Sequence, residues 1–71
     1  MINRPTDQRL RNALAREQIV YVVDNFGIKW SYVAKKMNMQ QSNFTHWKSG
    51  SFEFGAGKLN MIEEFIDSYL V

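Results

Sequence analysis

Residues 38–50 read NMQQSNFTHWKSG. They crowd amides, hydroxyls and an imidazole around two aromatics, Phe44 and Trp47, with Lys48 as the one full charge. Stepped as a helix at about 100° per residue, the segment separates into faces. Phe44 and Trp47 fall together. Ser42, Thr45, His46 and Ser49 fall opposite them, Gln41 and Lys48 lie on one flank, and Asn43 lies on the other. A solvated helix face ordinarily carries Glu, Lys and Arg, which are better helix formers. Short hydroxyls, amides and an imidazole both donate and accept hydrogen bonds, which is what contact with the edges of nucleic-acid bases requires.

Other chemistries find little support. His46 is the single histidine, the chain has no cysteine, and no carboxylate is near His46 in sequence. A metal centre is therefore not expected. The segment GSFEFGAGK, residues 50–58, resembles a phosphate-binding loop only faintly. Its lysine has the wrong spacing, no Ser or Thr follows Lys58, and no strand precedes it. No nucleophile–base pair and no cofactor loop is present, so neither an enzyme nor a cofactor is expected.

These residues must be positioned by a chain of 71 residues, which is one domain over 1–71. A domain of this size buries only roughly 60% of the surface its unfolded chain exposes. Without cysteine it must rely on close helix packing or on oligomerisation. A hydrophobic share of 45%, with 14% aromatic, suits a folded core. The N-terminus shows no apolar signal-peptide core and no apolar run reaches membrane-spanning length, so cytoplasmic residence is the default expectation. The net charge is +2, but it is unevenly spread. Arg4, Arg9, Arg11 and Arg16 precede Lys29, Lys35, Lys36, Lys48 and Lys58, whereas residues 59–71 carry only the acids Glu63, Glu64 and Asp67. A basic front and middle suit a polyanionic partner.

The expected architecture is all-α with four helices. Pro5-Thr6-Asp7 reads as a helix start, with Thr6 as the cap and Asp7 at the positive end of the helix dipole. Ala15, Ile19, Val22, Val23 and Phe26 then follow one buried stripe. The β-branched run IVYVV suggests a strand locally, but the longer helical period and the lack of a partner strand favour helix. Gly27 ends it. A second helix places Trp30, Val33, Ala34 and Met37 on one face, and Asn38 supplies a left-handed turn residue. The third runs from about Gln40 to Ser49 and is closed by Gly50. Phe52 and Phe54 lie in a loop, with one or both plugging the core. A fourth helix, about Lys58 to Tyr69, buries Leu59, Ile62, Phe65 or Ile66, and Tyr69. Met61, Leu70 and Val71 are left over outside that stripe.

Residues 33–50, with Val33-Ala34, Asn38-Met39-Gln40-Gln41-Ser42, Phe44, Trp47 and Gly50 in register, resemble the helix-turn-helix of Cro and λ-repressor-like (XRE) regulators. The resemblance implies a four-helix λ-repressor-like domain with its helix-turn-helix at about 30–49. It implies sequence-specific binding of double-stranded DNA, and the small size resembles regulators of phages and mobile elements. With little room for a ligand or activation domain, the expected mechanism is a repressor's occlusion of a promoter, and the few contacts of one small module call for a homodimer. Gln41, Ser42, Thr45 and His46 would then read bases in the major groove. Lys29, Ser31, Gln40, Asn43 and Lys48 would hold phosphates, and Arg4, Arg9 and Arg11 are candidates for a minor-groove arm. Met61, Leu70 and Val71 are candidates for the dimer interface.

The chain departs from the family in three ways. Lys48 stands where the family often has Glu paired with an arginine of the first helix, here Val23, which frees Lys48 for phosphate. One further helix follows where many members have two, and the first helix is unusually long. A protein-binding module acting through Phe52, Phe54 or the last helix is the alternative function.

Overall fold

The computed structural model describes residues 4–70, so Met1, Ile2, Asn3 and Val71 lie outside the description. Four helices follow one another: α1 (Gln8–Phe26), α2 (Trp30–Lys36), α3 (Gln41–Lys48) and α4 (Ala56–Leu70), with no strand among the described residues. The long helices α1 and α4 pack together, and the short pair α2 and α3 packs across their buried side. The Cα radius of gyration is 11.1 Å, close to the value of about 11 Å that a compact chain of this length should have.

α1 starts one residue later than expected. Asp7, not Thr6, is the N-cap: its Oδ1 accepts from the amides of Arg9 at 2.9 Å and Leu10 at 3.2 Å. A carboxylate satisfies these amides while also meeting the positive end of the helix dipole, so it outdoes a hydroxyl there. The run IVYVV is helical because its side chains divide by helical, not strand, period. Ile19, Val22 and Val23 are buried while Val20 and Tyr21 are exposed. Phe26, expected in the stripe, is instead 51% exposed. The helix outruns the core at that point, and the Phe26 ring meets only the edge of α4, 5.2 Å from the Tyr69 ring.

The first three helices stop by one device. Gly27, Asn38 and Gly50 have φ of 64°, 58° and 94°. Past each left-handed residue, the next amide reaches back five residues: Ile28 to Val23 O, Met39 to Ala34 O and Ser51 to His46 O, at 2.9–3.2 Å. This satisfies carbonyls that a helix end would otherwise leave unpaired. Asn38 is the one position of the three with a side chain, and Asn tolerates the left-handed region better than other non-glycine residues.

The core comprises Trp47, Phe44, Ile19, Met37, Leu59, Ile62, Ile66, Val22, Val33 and their smaller neighbours. Phe54 joins it, stacked on Trp47 with centroids 4.2 Å apart and planes within 5°, while Phe52 stays 41% exposed. On α4 the buried positions are Leu59, Ile62, Glu63 and Ile66, with Phe65 and Tyr69 half-buried. The helix begins at Ala56, two residues before the expected start, so Gly57 and Lys58 belong to it. Met61 and Leu70 pack against the core instead of standing apart from it, and Val71 falls outside the described residues.

The reading of Arg4 and Arg11 as a DNA-reaching arm is corrected by the packing of α1 on α4. Arg4 forks onto Asp67 at 2.7 and 3.2 Å and approaches Glu63 at 3.3 Å. Arg11 binds both oxygens of Glu63, at 2.7 and 3.1 Å. That hydrogen bonding raises the Arg11 pKa above its ordinary value, against desolvation and with the added Coulomb attraction of Glu63. Glu63 is buried on α4 and needs these cations. Arg9 alone of the proposed arm remains exposed and outside these ion pairs.

Asn12 links three parts of the fold and is fully buried. Its Oδ1 accepts from Trp47 Nε1–H and from the Phe54 amide, both at 2.7 Å. Its Nδ2 donates to Gln8 O at 2.9 Å and to Phe54 O at 3.1 Å. Gln8 Nε2 also donates to Phe54 O, at 2.8 Å. Asn12→Ala leaves two buried donors unpaired, each worth about 1–3 kcal/mol. Urea and thermal unfolding should show a loss of about 3 kcal/mol, a fall in Tm of more than about 10 °C. An unchanged midpoint would show that Asn12 is not the tie described.

Candidate functional site

The α2–turn–α3 segment is held from behind at several points. Val33, Ala34 and Met37 bury the inner face of α2, and Phe44 and Trp47 bury that of α3. Met37 O, at the end of α2, accepts from Lys58 Nζ at 2.6 Å. Asn38 turns the chain, and half-buried Met39 pins the turn to the core. At the other end of α3, Arg16 of α1 donates from Nε to Trp47 O at 2.7 Å. Its Nη2 reaches Phe52 O at 2.7 Å and Glu53 at 3.0 Å. The same guanidinium lies 5.2 Å from the centroid of the Trp47 ring. A cation that hydrogen-bonds the last carbonyls also suits the negative end of the α3 dipole.

Fixed in this way, α3 turns one face outward. Gln40, Gln41, Ser42, Asn43, Thr45, His46 and Ser49 are exposed. Ser49 Oγ donates to His46 O at 2.9 Å and lies 3.2 Å from Ser51 Oγ. Among the described residues, the side chains of Gln41, Ser42, Asn43, Thr45 and His46 take no hydrogen-bond partner, so their donors and acceptors face solvent. Gln40 caps α3 through its backbone alone: Phe44 N bonds Gln40 O at 3.0 Å, and no side chain covers the first-turn amides. The expected base-reading set is thus one contiguous patch. Ser31 and Lys29 are exposed at the start of α2.

Lys48 is not free as expected. It is half-buried, with Nζ 3.9 Å from the centroid of the Trp30 ring. Val23, its expected first-helix counterpart, is buried apolar core. The first helix does supply an arginine to α3, but it is Arg16 and it serves backbone carbonyls.

The charges are sorted by the fold. Residues 25–52 contain four lysines and no acid. The ion pairs among the described residues join Arg4, Arg11 and Arg16 to Glu63, Asp67 and Glu53. Arg4 and Arg11 are thus paired with Glu63 and Asp67 of α4, and the four lysines of 25–52 have no acid within that stretch. No three of His, Cys, Asp and Glu converge to hold a metal among the described residues. In the segment 50–58, Gly57 and Lys58 lie in the first turn of α4, and Lys58 Nζ is engaged by Met37 O. Of the residues named for a protein partner, Phe54 is covered and Phe52 is accessible. No helix of the described residues is long and apolar enough to cross a membrane.

Asn12, Arg16 and Lys58 are the supporting residues that sequence reasoning missed. Asn12 carried a signal: it stands three residues before Ala15 and seven before Ile19, a short polar residue inside the apolar stripe. Arg16 and Lys58 carried none, since their acceptors are backbone carbonyls distant in sequence.

No protein-family model, curated protein sequence or solved structure matches this chain.

Replacing Arg16 with Met keeps the aliphatic stem but removes the donors. We expect a loss of about 1–2 kcal/mol, because the acceptors include backbone carbonyls but the site is partly solvated. Amide exchange at Lys48 to Phe52 should speed up more than exchange in α4. A uniform increase across all helices would argue against a local hold on α3.

Proposed function

We propose that this protein is a sequence-specific double-stranded DNA-binding regulator that lays α3 in the major groove. One observation carries this reading: the outward face of α3 is polar, exposed and unpartnered, while Trp47 in its last turn is held from behind by Asn12 and Arg16. Gln41 and Ser42, with Thr45 and His46 one turn later, read base edges. Gln41 can bind adenine through two hydrogen bonds. Lys29, Ser31, Gln40, Asn43 and Lys48 meet phosphates on either side of the groove. The acid-free stretch 25–52 supplies the field that draws in a polyanion.

The resemblance to Cro and λ-repressor-like regulators supports the same assignment, and with it cytoplasmic action by promoter occlusion. An α3 of eight residues offers few base contacts, so tight specific binding uses two copies on a two-fold site. A module that binds another protein is the competing reading, and the exposed Phe52 is the observation that favours it.

Selection from a pool of random duplexes, repeated at two salt concentrations, tests the proposal. One enriched motif is expected, with affinity falling as salt rises. Gln41→Ala with His46→Ala should leave Tm unchanged and lower affinity for that motif about 10- to 100-fold. Absence of any enriched motif at either salt would sink the proposal and turn attention to Phe52.

A further inference from the structure

Lys48 closes α3 and Trp30 opens α2, and the two side chains meet with the ammonium 3.9 Å from the ring centroid. The Trp30 ring is itself braced against buried Phe44, with centroids 5.9 Å apart. The other lysine–aromatic pair is looser: Lys36 lies 5.5 Å from the Tyr32 ring, and that ring has Phe65 of α4 as its aromatic neighbour, with centroids 6.2 Å apart. The ion pairs among the described residues all belong to arginines, so a carboxylate does not hold Lys48 in place.

We infer that Trp30 is a positioning residue for Lys48, fixing its ammonium as a preset phosphate anchor at the C-terminal end of α3. This rests on the DNA-binding reading above. An unrestrained lysine samples many rotamers and loses that freedom when it grips a phosphate. Trp attracts a cation through its ring face more strongly than the other aromatic side chains do. With one side against the ring, the ammonium still has donors directed outward. The ordering is thus accomplished in the free protein, and the phosphate meets a group already in place.

The location gives the anchor a specificity role. Gln41 and Lys48 share one flank of α3 and are seven residues apart, about 10 Å along the axis. Gln41 reads at one end while Lys48 is fixed at the other. An ammonium held by α2 therefore sets how α3 tilts into the groove, and with it which base Gln41 meets.

The test has a DNA-free arm and a DNA arm. In the free protein, the Lys48 methylene proton resonances should shift upfield under the Trp30 ring and return towards ordinary values in Trp30→Leu. Ordinary values in the wild type would overturn the stack. The DNA arm uses a mixed-sequence duplex of about 20 base pairs. Lys48→Met should reduce the slope of log affinity against log salt by about 0.9, the loss of one phosphate contact. Trp30→Leu should weaken binding about two- to fivefold with the slope kept, and Trp30→Tyr should restore most of it. In the Lys48→Met background, Trp30→Leu should have no further effect on affinity. An equal loss in both backgrounds would show that Trp30 acts through packing alone and would overturn the positioning role. An unchanged slope in Lys48→Met would remove the anchor, while failure of the wild type to bind any duplex would remove the DNA reading itself.

Discussion

Asn12 is the point on which the other contacts converge. A buried amide with both donors and both acceptors engaged is a demanding arrangement: it is satisfied in one geometry and unfavourable in any other. Trp47 must present its indole N–H to Asn12, which sets the rotation of α3 about its own axis. Phe54 must return its backbone to the same group, which folds the 51–55 loop over the Trp47 ring. Hydrophobic burial alone would tolerate some rotation of α3, because Phe44 and Trp47 can slide in an apolar environment. The hydrogen bonds to Asn12 remove that freedom, so the outward direction of Gln41, Ser42, Thr45 and His46 is defined from the far side of the domain.

Arg16 completes the arrangement from the same helix. It lies four residues after Asn12, one turn along α1, and meets the carbonyl of the residue whose indole Asn12 holds. α1 thus grips α3 by side chain and by backbone. The length of α1 serves this role, because its N-terminal half carries both gripping residues and its C-terminal half supplies Ile19, Val22 and Val23 to the core.

Electrostatics follow the same division of labour. The arginines of the N-terminal segment and the acids of α4 are distant in sequence, yet they pair across the α1–α4 contact. Such pairs contribute modestly to stability where solvent reaches them. Their larger consequence is for the distribution of charge. Glu53, Glu63 and Asp67 are occupied by arginines, and no acid lies among the lysines of 25–52.

Much of this was legible in the chain. Helical period placed Ile19, Val22, Val33, Phe44, Trp47, Leu59 and Ile62 in the core, because an apolar stripe every three or four residues has one way to be buried. Gly27, Asn38 and Gly50 marked three helix ends, because few residues accept a positive φ. The polar face of α3 was legible for the same reason as its apolar face. What only the tertiary structure decided are the contacts whose partners are far apart in sequence or are backbone atoms. Arg4 and Arg11 read as free cations until α4 brought Glu63 and Asp67 beside them. Phe26 read as core until the helix outran its neighbours, and Lys48 read as free until Trp30 came within reach. Asn12 stands in the chain as a short polar residue inside the apolar stripe, but its role as a tie came from the packing, because a sequence states which hydrogen-bonding groups exist but not which of them the packing will deprive of water.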